Sequence, residues 1–539
     1  MGSASAGPVT GHAEGEVSMF SFVDAEADVR VVGSMSATDL GESGRDLLRL
    51  SRQAEARVVL AAGELGERTY RDVLVSAPPV FQMMMRHKAD KAAVAEVSLQ
   101  LGISRSKAGR WMSLAELLEA VPTIRAAYLD GELSTNRVDI MARAASRAPK
   151  TADDDADTDT DGTDSGVSFE DVALELGLRA STDPVLRDQL EEVLISLDPQ
   201  ASAQERDAFD EAFAQVSITN DAVGHVNIEA CVPAHVGVFL RDRIAALIGL
   251  RVCRNDRRTI GQQRVAALAE LTGVPGARLS CTCGRDGCAR AAKDPDAAPA
   301  DAVMTDETAA ETPADAAEAA EWDSQLPAPT DADAPPADGD ALSEWDAAAP
   351  IVLPSPVITP DAPAFTLVAD SAGVVVPRLR GYGVIDPVLA GELAPLATRV
   401  EVSEAARQIA ARLVESIADR SLAPPWDSSG HGGHATAPPG ALRYRPSARV
   451  RAEVLGTDVW CRFPYCGMPA EACELDHVVA FDHADPRAGG WTLPADLIPL
   501  CRPDHQRKHL GIWRPTLHTD RTVTWRHRDT GQTIVTHPR

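Results

Sequence analysis

The chain has 539 residues, with 80 Asp and Glu against 52 Lys and Arg and a formal net charge of -28. That length favours two or more domains, because single hydrophobic cores stop growing well below it. The acid excess argues against a polyanionic partner for the bulk of the chain, and no stretch approaches the apolar length of a membrane span.

Apolar residues make up 44% but aromatics only 4%, so Ala carries much of the apolar content and part of the chain is expected not to fold. The start, MGSASAGPVTGHAEGE, lacks a basic segment followed by an apolar run, and the expectation is a cytoplasmic protein with no membrane association. In that reducing setting, clustered cysteines read as metal ligands before disulfides.

In chain order, residues 1–36 are small and polar and read as a flexible tail. Residues 37–290 read as a helical domain, interrupted by an acidic linker at 151–166. LLRLSRQAEARVVLAAGEL sets Leu48, Leu50, Ala54, Val58 and Ala61 near a 3.6-residue period, the pattern of a core-facing helix. Between Ser98 and Trp111, Gly102 suits a sharp turn and Ser104 a helix cap, followed by Arg105, Lys107 and Arg110. The pattern fits either a helix-turn-helix or two packed helices with a basic face. Gly131 and Ser134 mark one helix ending and another starting. The run DDDADTDTDGTD has Thr158 and Asp164 where a calcium loop needs Gly and Glu, so it reads as a solvated linker.

Helical pattern resumes from Phe169 to about Leu271, with VGHVNIEACV alternating like a strand and Cys231 read as core. Cys281, Cys283 and Cys288 are three potential soft ligands, but no fourth is near in sequence, and they read as reduced loop thiols. Residues 291–363 are Ala, Pro and acid and read as a disordered linker. Residues 364–425 read as a helical continuation, with a helix over Thr398 to Ile417. Residues 426–445 read as a Pro/Gly linker in which His431 and His434 are unassigned.

The last segment, 446–539, differs in kind. From Ala441 onward there are 14 Lys and Arg and 11 Asp and Glu, so the rest of the chain carries -31, and seven of the 13 histidines fall here. Cys461-x4-Cys466 has the spacing of a zinc knuckle, and Cys501 begins a second ligand set. ACELDHVVAF reads as a strand carrying Asp476 and His477, ADLIPL as a second strand, and CRPDHQRKHL as a helix with Pro503 in its first turn. Cys501, His505 and His509 are expected on one face of that helix. The tail GIWRPTLHTDRTVTWRHRDTGQTIV reads as a hairpin with Trp513 and Trp525 in its core and a basic face of Arg521, Arg526 and Arg528. His483 and His518 are read as surface.

This stretch, roughly Arg449 to Arg539, resembles the HNH endonucleases, whose fold is a ββα-metal module. The preceding helical region, with LLRLSRQAEARVV, LQLGISRSKAGRW and YLDGELS, resembles actinobacterial proteins of the 13E12 repeat type, whose N-terminal helical domain is of unknown function. The resemblance implies a mainly α protein ending in a zinc-stapled nuclease module that hydrolyses DNA. Asp476 and His505 would hold a catalytic Mg2+ or Mn2+, and His477 would be the general base. Asp496 stands where the family has the Asn that orients that base, and Arg507 or Lys508 would steady a phosphate oxygen. Cys461, Cys466 and Cys501 would bind structural Zn2+ with Asp504, or failing it Cys473 or His509, as the fourth ligand.

Overall fold

The computed structural model describes residues 25–76, 82–149, 168–220, 225–274, 276–285, 288–290, 365–404, 406–409 and 422–538. These residues are about half helical with small sheets, and the chain divides into two compact units, 1–142 and 143–539. The acidic run at 153–164 and the Ala/Pro/acid segment 291–363 lie outside the described residues.

In the first unit, helix α1 (Ala25–Ser34) occupies part of what the sequence assigns to a loose tail; AEADVR is made largely of helix-tolerant residues. Helix α2 (Ala37–Val75) starts at Ser36, whose hydroxyl accepts from the Asp39 N–H. Its buried face is Ala56, Val59, Ala62 and Gly66, not the expected Leu48, Leu50, Ala54, Val58 and Ala61; Leu48 and Leu50 are 50% and 53% exposed. Close approach explains the difference. A Cβ on Gly63 would meet Ala115 at 2.4 Å and one on Gly66 would meet Met112 at 2.5 Å, so small residues form the contact and larger ones turn outward.

Helices α3 (Gln82–Leu101) and α4 (Arg105–Leu117) form the expected turn. Gly102 has φ +63°, Ser104 caps α4 through the Lys107 N–H, and the Ser98 hydroxyl donates to the Ile103 carbonyl at 2.6 Å. Arg105 and Arg110 are exposed, and the Lys107 ammonium lies over Trp111 at 4.5 Å. Helix α5 (Pro122–Leu129) ends at Gly131 (φ +75°) before α6 (Thr135–Arg147). Arg49 and Gln53 of α2 donate to the Asp130 carbonyl, satisfying an orphan acceptor at the end of α5.

The second unit takes in the last residues of α6, from Arg143, and continues with α7 (Phe169–Leu178), α8 (Asp183–Leu197) and α9 (Pro199–Phe213), then the antiparallel pair β1 (Gln215–Asn220) and β2 (Val226–Cys231). The strand pair is largely exposed, and Cys231 at its end is only partly covered rather than core. Helices α10 (Ala234–Arg251) and α11 (Ile260–Leu271) pack around Ile248, Val252, Ala267 and Leu279.

Residues 365–401 are not a plain helical continuation. Strands β3 (Phe365–Ala369), β4 (Arg378–Leu379), β5 (Gly383–Val384) and β6 (Ala397–Glu401) form one sheet in the order β5-β4-β3-β6, with β3 and β6 parallel and α12 (Pro387–Leu393) between β5 and β6. Alternate burial of Phe365, Leu367 and Ala369 gives β3 its period of two. Thus Thr398 begins within a strand where a helix was expected, and the end of that expected helix lies outside the described residues.

The C-terminal part consists of α13 (Ala448–Thr457), the antiparallel pair β7 (Glu474–His477) and β8 (Leu497–Leu500), α14 (Arg502–His509), and the meander β9 (Trp513–Leu517), β10 (Val523–His527), β11 (Thr533–Thr536). Trp525 and Val523 are fully buried with Ile498, Leu500 and Leu517. Residues 426–445 are not a free linker: Trp426 joins that core, and Ala437, Ala441 and Leu442 pack with Trp491 and Leu493. Two residues read as surface features are structural. His518 is buried between the Ala423 carbonyl and the Thr524 hydroxyl. Arg521 is 7% exposed and, with Arg462, shares the fully buried Asp458. Arg526 and Arg528 remain exposed.

Candidate functional site

Period-two alternation along β7 puts Glu474 and Asp476 on one face, opposite the first turns of α14. Pro503 lies in the first turn of that helix and Gly511 (φ +68°) follows its end. Two side-chain clusters result, one at the helix start and one along its length.

At the start, the ligand atoms of Cys461, Cys466, Cys501 and Asp504 all lie within 4.8 Å of one another. Asp504 Oδ2 is 3.0 Å from Cys501 Sγ and 3.5 Å from Cys461 Sγ, while Cys466 Sγ is 3.9 Å from Cys501 Sγ. Arg507 binds the outer oxygen of Asp504 at 2.6 Å. Hydrogen bonds from Cys461 and Cys466 hold the Cys501 thiol far below its usual range, whereas the Cys466 thiol is pushed up by the same sharing and by burial. Three thiols and a carboxylate this close together can give up their protons to a soft cation, and the cluster could hold a metal ion such as zinc. Cys473 is buried nearby but its thiol points to the Pro469 carbonyl at 3.4 Å. His509 belongs to the other cluster.

Along the helix, Asp476, His505 and His509 form a second group within 4.8 Å. His505 Nε2 is 3.2 Å from Asp476 Oδ1 and 2.8 Å from His509 Nε2, so the Nε2 atoms of both rings converge on one point beside the carboxylate. Its other nitrogen, Nδ1, is 2.7 Å from Glu474 Oε2. Both ring nitrogens therefore face carboxylate oxygens and are placed to donate to them, which holds the ring in one orientation. Asp476, with Glu474 behind it, raises the His505 pKa, and the hydrogen bond from His505 together with Lys508 lowers that of Asp476 despite its burial. Lys508 Nζ reaches Asp476 Oδ2 at 2.5 Å and also the His477 carbonyl. The expected single helix face therefore divides, with Cys501 toward Asp504 and the two histidines toward Asp476.

His477 is 5% exposed, stacked near Tyr444, with Nε2 2.9 Å from the Thr492 hydroxyl. That hydroxyl donates its one proton to the Arg443 carbonyl at 2.6 Å, so it accepts from His477, which carries its proton on Nε2 and its lone pair on Nδ1. Burial, aided by the Lys508 charge, pushes His477 down to about 4, leaving the ring neutral at pH 7. Asp496 does not reach this ring. Its Oδ1 accepts from the Val479 N–H at 2.8 Å and its backbone carbonyl from Val478, which fastens the exit of β7. Asp496 Oδ2 is buried without a hydrogen-bond partner among the described residues, and burial pushes its carboxyl up to about 8. Gly490 makes room for it, since a Cβ there would sit 2.3 Å from that oxygen. A protonated Asp496 is neutral, as Asn is.

Sequence reasoning missed Glu474, whose signal was its position two residues before Asp476, and Thr492, which a loop brings across 15 residues. It also missed a third group. Cys253 joins Cys281, Cys283 and Cys288 within 4.8 Å, so these three are not isolated loop thiols, and this set too could hold a metal ion.

Residues 82–332 match the family model described as a domain of unknown function (DUF222). The chain is similar to the uncharacterized protein Rv3776 of Mycobacterium tuberculosis strain H37Rv, at 28% identity over 457 residues, covering 83% of this chain and 70% of that protein. It is also similar to the uncharacterized protein Rv2100 of the same strain, at 27% identity over 507 residues, covering 92% of this chain and 76% of that one. No solved structure matches the chain. The family match falls on the helical region ahead of the C-terminal clusters, and no described helix is long and apolar enough to cross a membrane.

Proposed function

We propose that residues 446–539 form an HNH endonuclease module of the ββα-metal type that hydrolyses DNA phosphodiester bonds. One observation carries the reading: neighbouring residues of β7 offer Asp476 to the paired imidazoles of His505 and His509, and His477 as a buried neutral base oriented by Thr492. The donor set, one carboxylate and two imidazoles, suits a divalent cation and favours Mn2+ over the harder Mg2+, the two ions that the resemblance implies as the working metal. When bound, the ion offsets charge on the phosphorus centre and the leaving oxygen. His477 takes the proton of the attacking water on Nδ1. Glu474 orients His505, and Asp496, protonated, holds the strand exit with the neutrality of the family's Asn. Lys508 and Arg507 supply positive charge for a phosphate oxygen. Cys461, Cys466, Cys501 and Asp504 hold Zn2+ and staple the start of α14 to the knuckle.

The test is conversion of supercoiled plasmid to nicked or linear forms by the full chain with Mg2+ or Mn2+, and its loss in His477→Ala. A second reading, a DNA-binding protein whose module is catalytically weak or inactive, is favoured by the capped α3–α4 turn with Arg105 and Arg110 exposed. It requires salt-dependent DNA binding without turnover, weakened by Lys107→Glu with Arg110→Glu.

A further inference from the structure

The turn that closes α10 onto α11 brings Cys253, two residues past the end of α10, against a loop that starts 28 residues later. Cys281 and Cys283 are buried, and Cys253 and Cys288 are partly covered. Cys281 Sγ and Cys253 Sγ are 3.4 Å apart and all four sulfurs lie within 4.8 Å of one another. A disulfide needs about 2.05 Å, whereas four sulfurs around zinc at about 2.3 Å stand about 3.8 Å apart.

Polar groups around the sulfurs tie the two segments together. Asp256, its side chain 1% exposed, accepts from the Thr282 N–H at 2.7 Å and pairs with Arg258 at 2.9 Å. Arg258 in turn donates to the Ser280 carbonyl at 2.7 Å. Arg290 donates to the Val252 carbonyl at 2.7 Å while its own carbonyl accepts from the Cys281 N–H at 3.1 Å. Both strands of chain that carry cysteines are thus tied to each other by arginines and one buried carboxylate. The apolar group of Ile248, Val252, Ala267 and Leu279 is small, and a core of that size gains from a staple.

We propose that Cys253, Cys281, Cys283 and Cys288 form a closed tetrathiolate zinc site that fastens the end of the helical region, separate from the Cys461 cluster and independent of any nuclease activity. Four thiolates leave no open position, so the site is structural, and their softness selects zinc over Mg2+ or Mn2+. The cationic side chains of Arg258 and Arg290 offset part of the charge that four thiolates bring.

The experiment is elemental analysis of the full chain purified under reducing conditions, alongside Cys253→Ser, Cys461→Ser and Cys231→Ser. About two zinc ions per chain are expected in the parent and in Cys231→Ser, and about one in each of the other two. A parent holding about one zinc that Cys253→Ser leaves in place overturns the proposal. X-ray absorption on Cys461→Ser reads the new site with its own residues intact. A shell of about four sulfurs near 2.3 Å supports it, and a nitrogen or oxygen shell overturns it.

Discussion

The Thr492 hydroxyl accepts a hydrogen bond from His477 Nε2 at 2.9 Å because its only proton is committed to the Arg443 carbonyl. One threonine from a loop thereby selects the tautomer of a histidine on a strand. Thr492→Val keeps the shape and removes the acceptor, leaving a buried Nε2–H unpaired. Nicking by Thr492→Val is expected to fall roughly ten- to a hundredfold, against a loss of about 10²–10⁴ for His477→Ala. Initial rates at saturating Mn2+ check both; a Thr492→Val rate equal to the parent's contradicts the assignment of Nδ1 as the base.

If His477 is the base of the proposed nuclease, its low pKa is expected to shift the acid limb of activity downward. A base with a pKa near 4 stays unprotonated from neutrality down to about pH 5 and gains its proton below that. With Mn2+ saturating at each pH, so that the metal displaces the proton from His505, whose own pKa is raised, the pH profile of kcat/KM is expected to hold across pH 7 to 5 and fall as pH approaches 4, where an ordinary histidine base would already lose activity below about 6.5.

Asp496 makes the module less stable at high pH. Its folded pKa, about 8, lies above the usual carboxylate value, so the native state keeps a proton that the unfolded chain has released. The stability from this group is fully present below about pH 4 and is lost as pH rises through 8. Asp496→Asn removes that dependence. Thermal unfolding is expected to show the variant gaining on the parent between pH 5 and 9, by a few kcal/mol in sum; parallel curves contradict a protonated Asp496.

In the proposed metal site, Glu474 is expected to act on metal affinity through His505. Replacing it with Gln weakens the acceptor that orients the ring from 2.7 Å away, and calorimetric titration with Mn2+ is expected to show affinity lowered about tenfold or more. The far side of α14 gives a complementary test. Asp504→Cys supplies a stronger ligand than carboxylate and Asp504→Ala none, so zinc loss to a chelator is expected to slow in the first and quicken in the second.

The chemistry-bearing residues of β7 and α14 were legible because strand and helix periods act locally: Asp476 and His477 are adjacent on β7, and Pro503 and His505 lie two residues apart in the first turns of α14. Thr492 and Cys253 were not, since each reaches its partners through a connection whose path depends on packing. The same limit explains α2, where apolar spacing suggested Leu48 and Leu50 as core while the close approach of Gly63 to Ala115 gave that face to small residues. Arg521 shows a third kind of limit. Its charge reads as surface, yet Asp458, 63 residues earlier in the chain, pairs with it in the interior.

The proposed cutting of DNA by residues 446–539 depends on His477 as base. Supercoiled plasmid incubated with the full chain and Mn2+ tests it most directly, with His477→Ala, matched for zinc content, as the comparison. Nicked or linear product is expected from the parent and background levels from the variant. Equal cutting by the two, or none by the parent under conditions where it binds Mn2+, would contradict it.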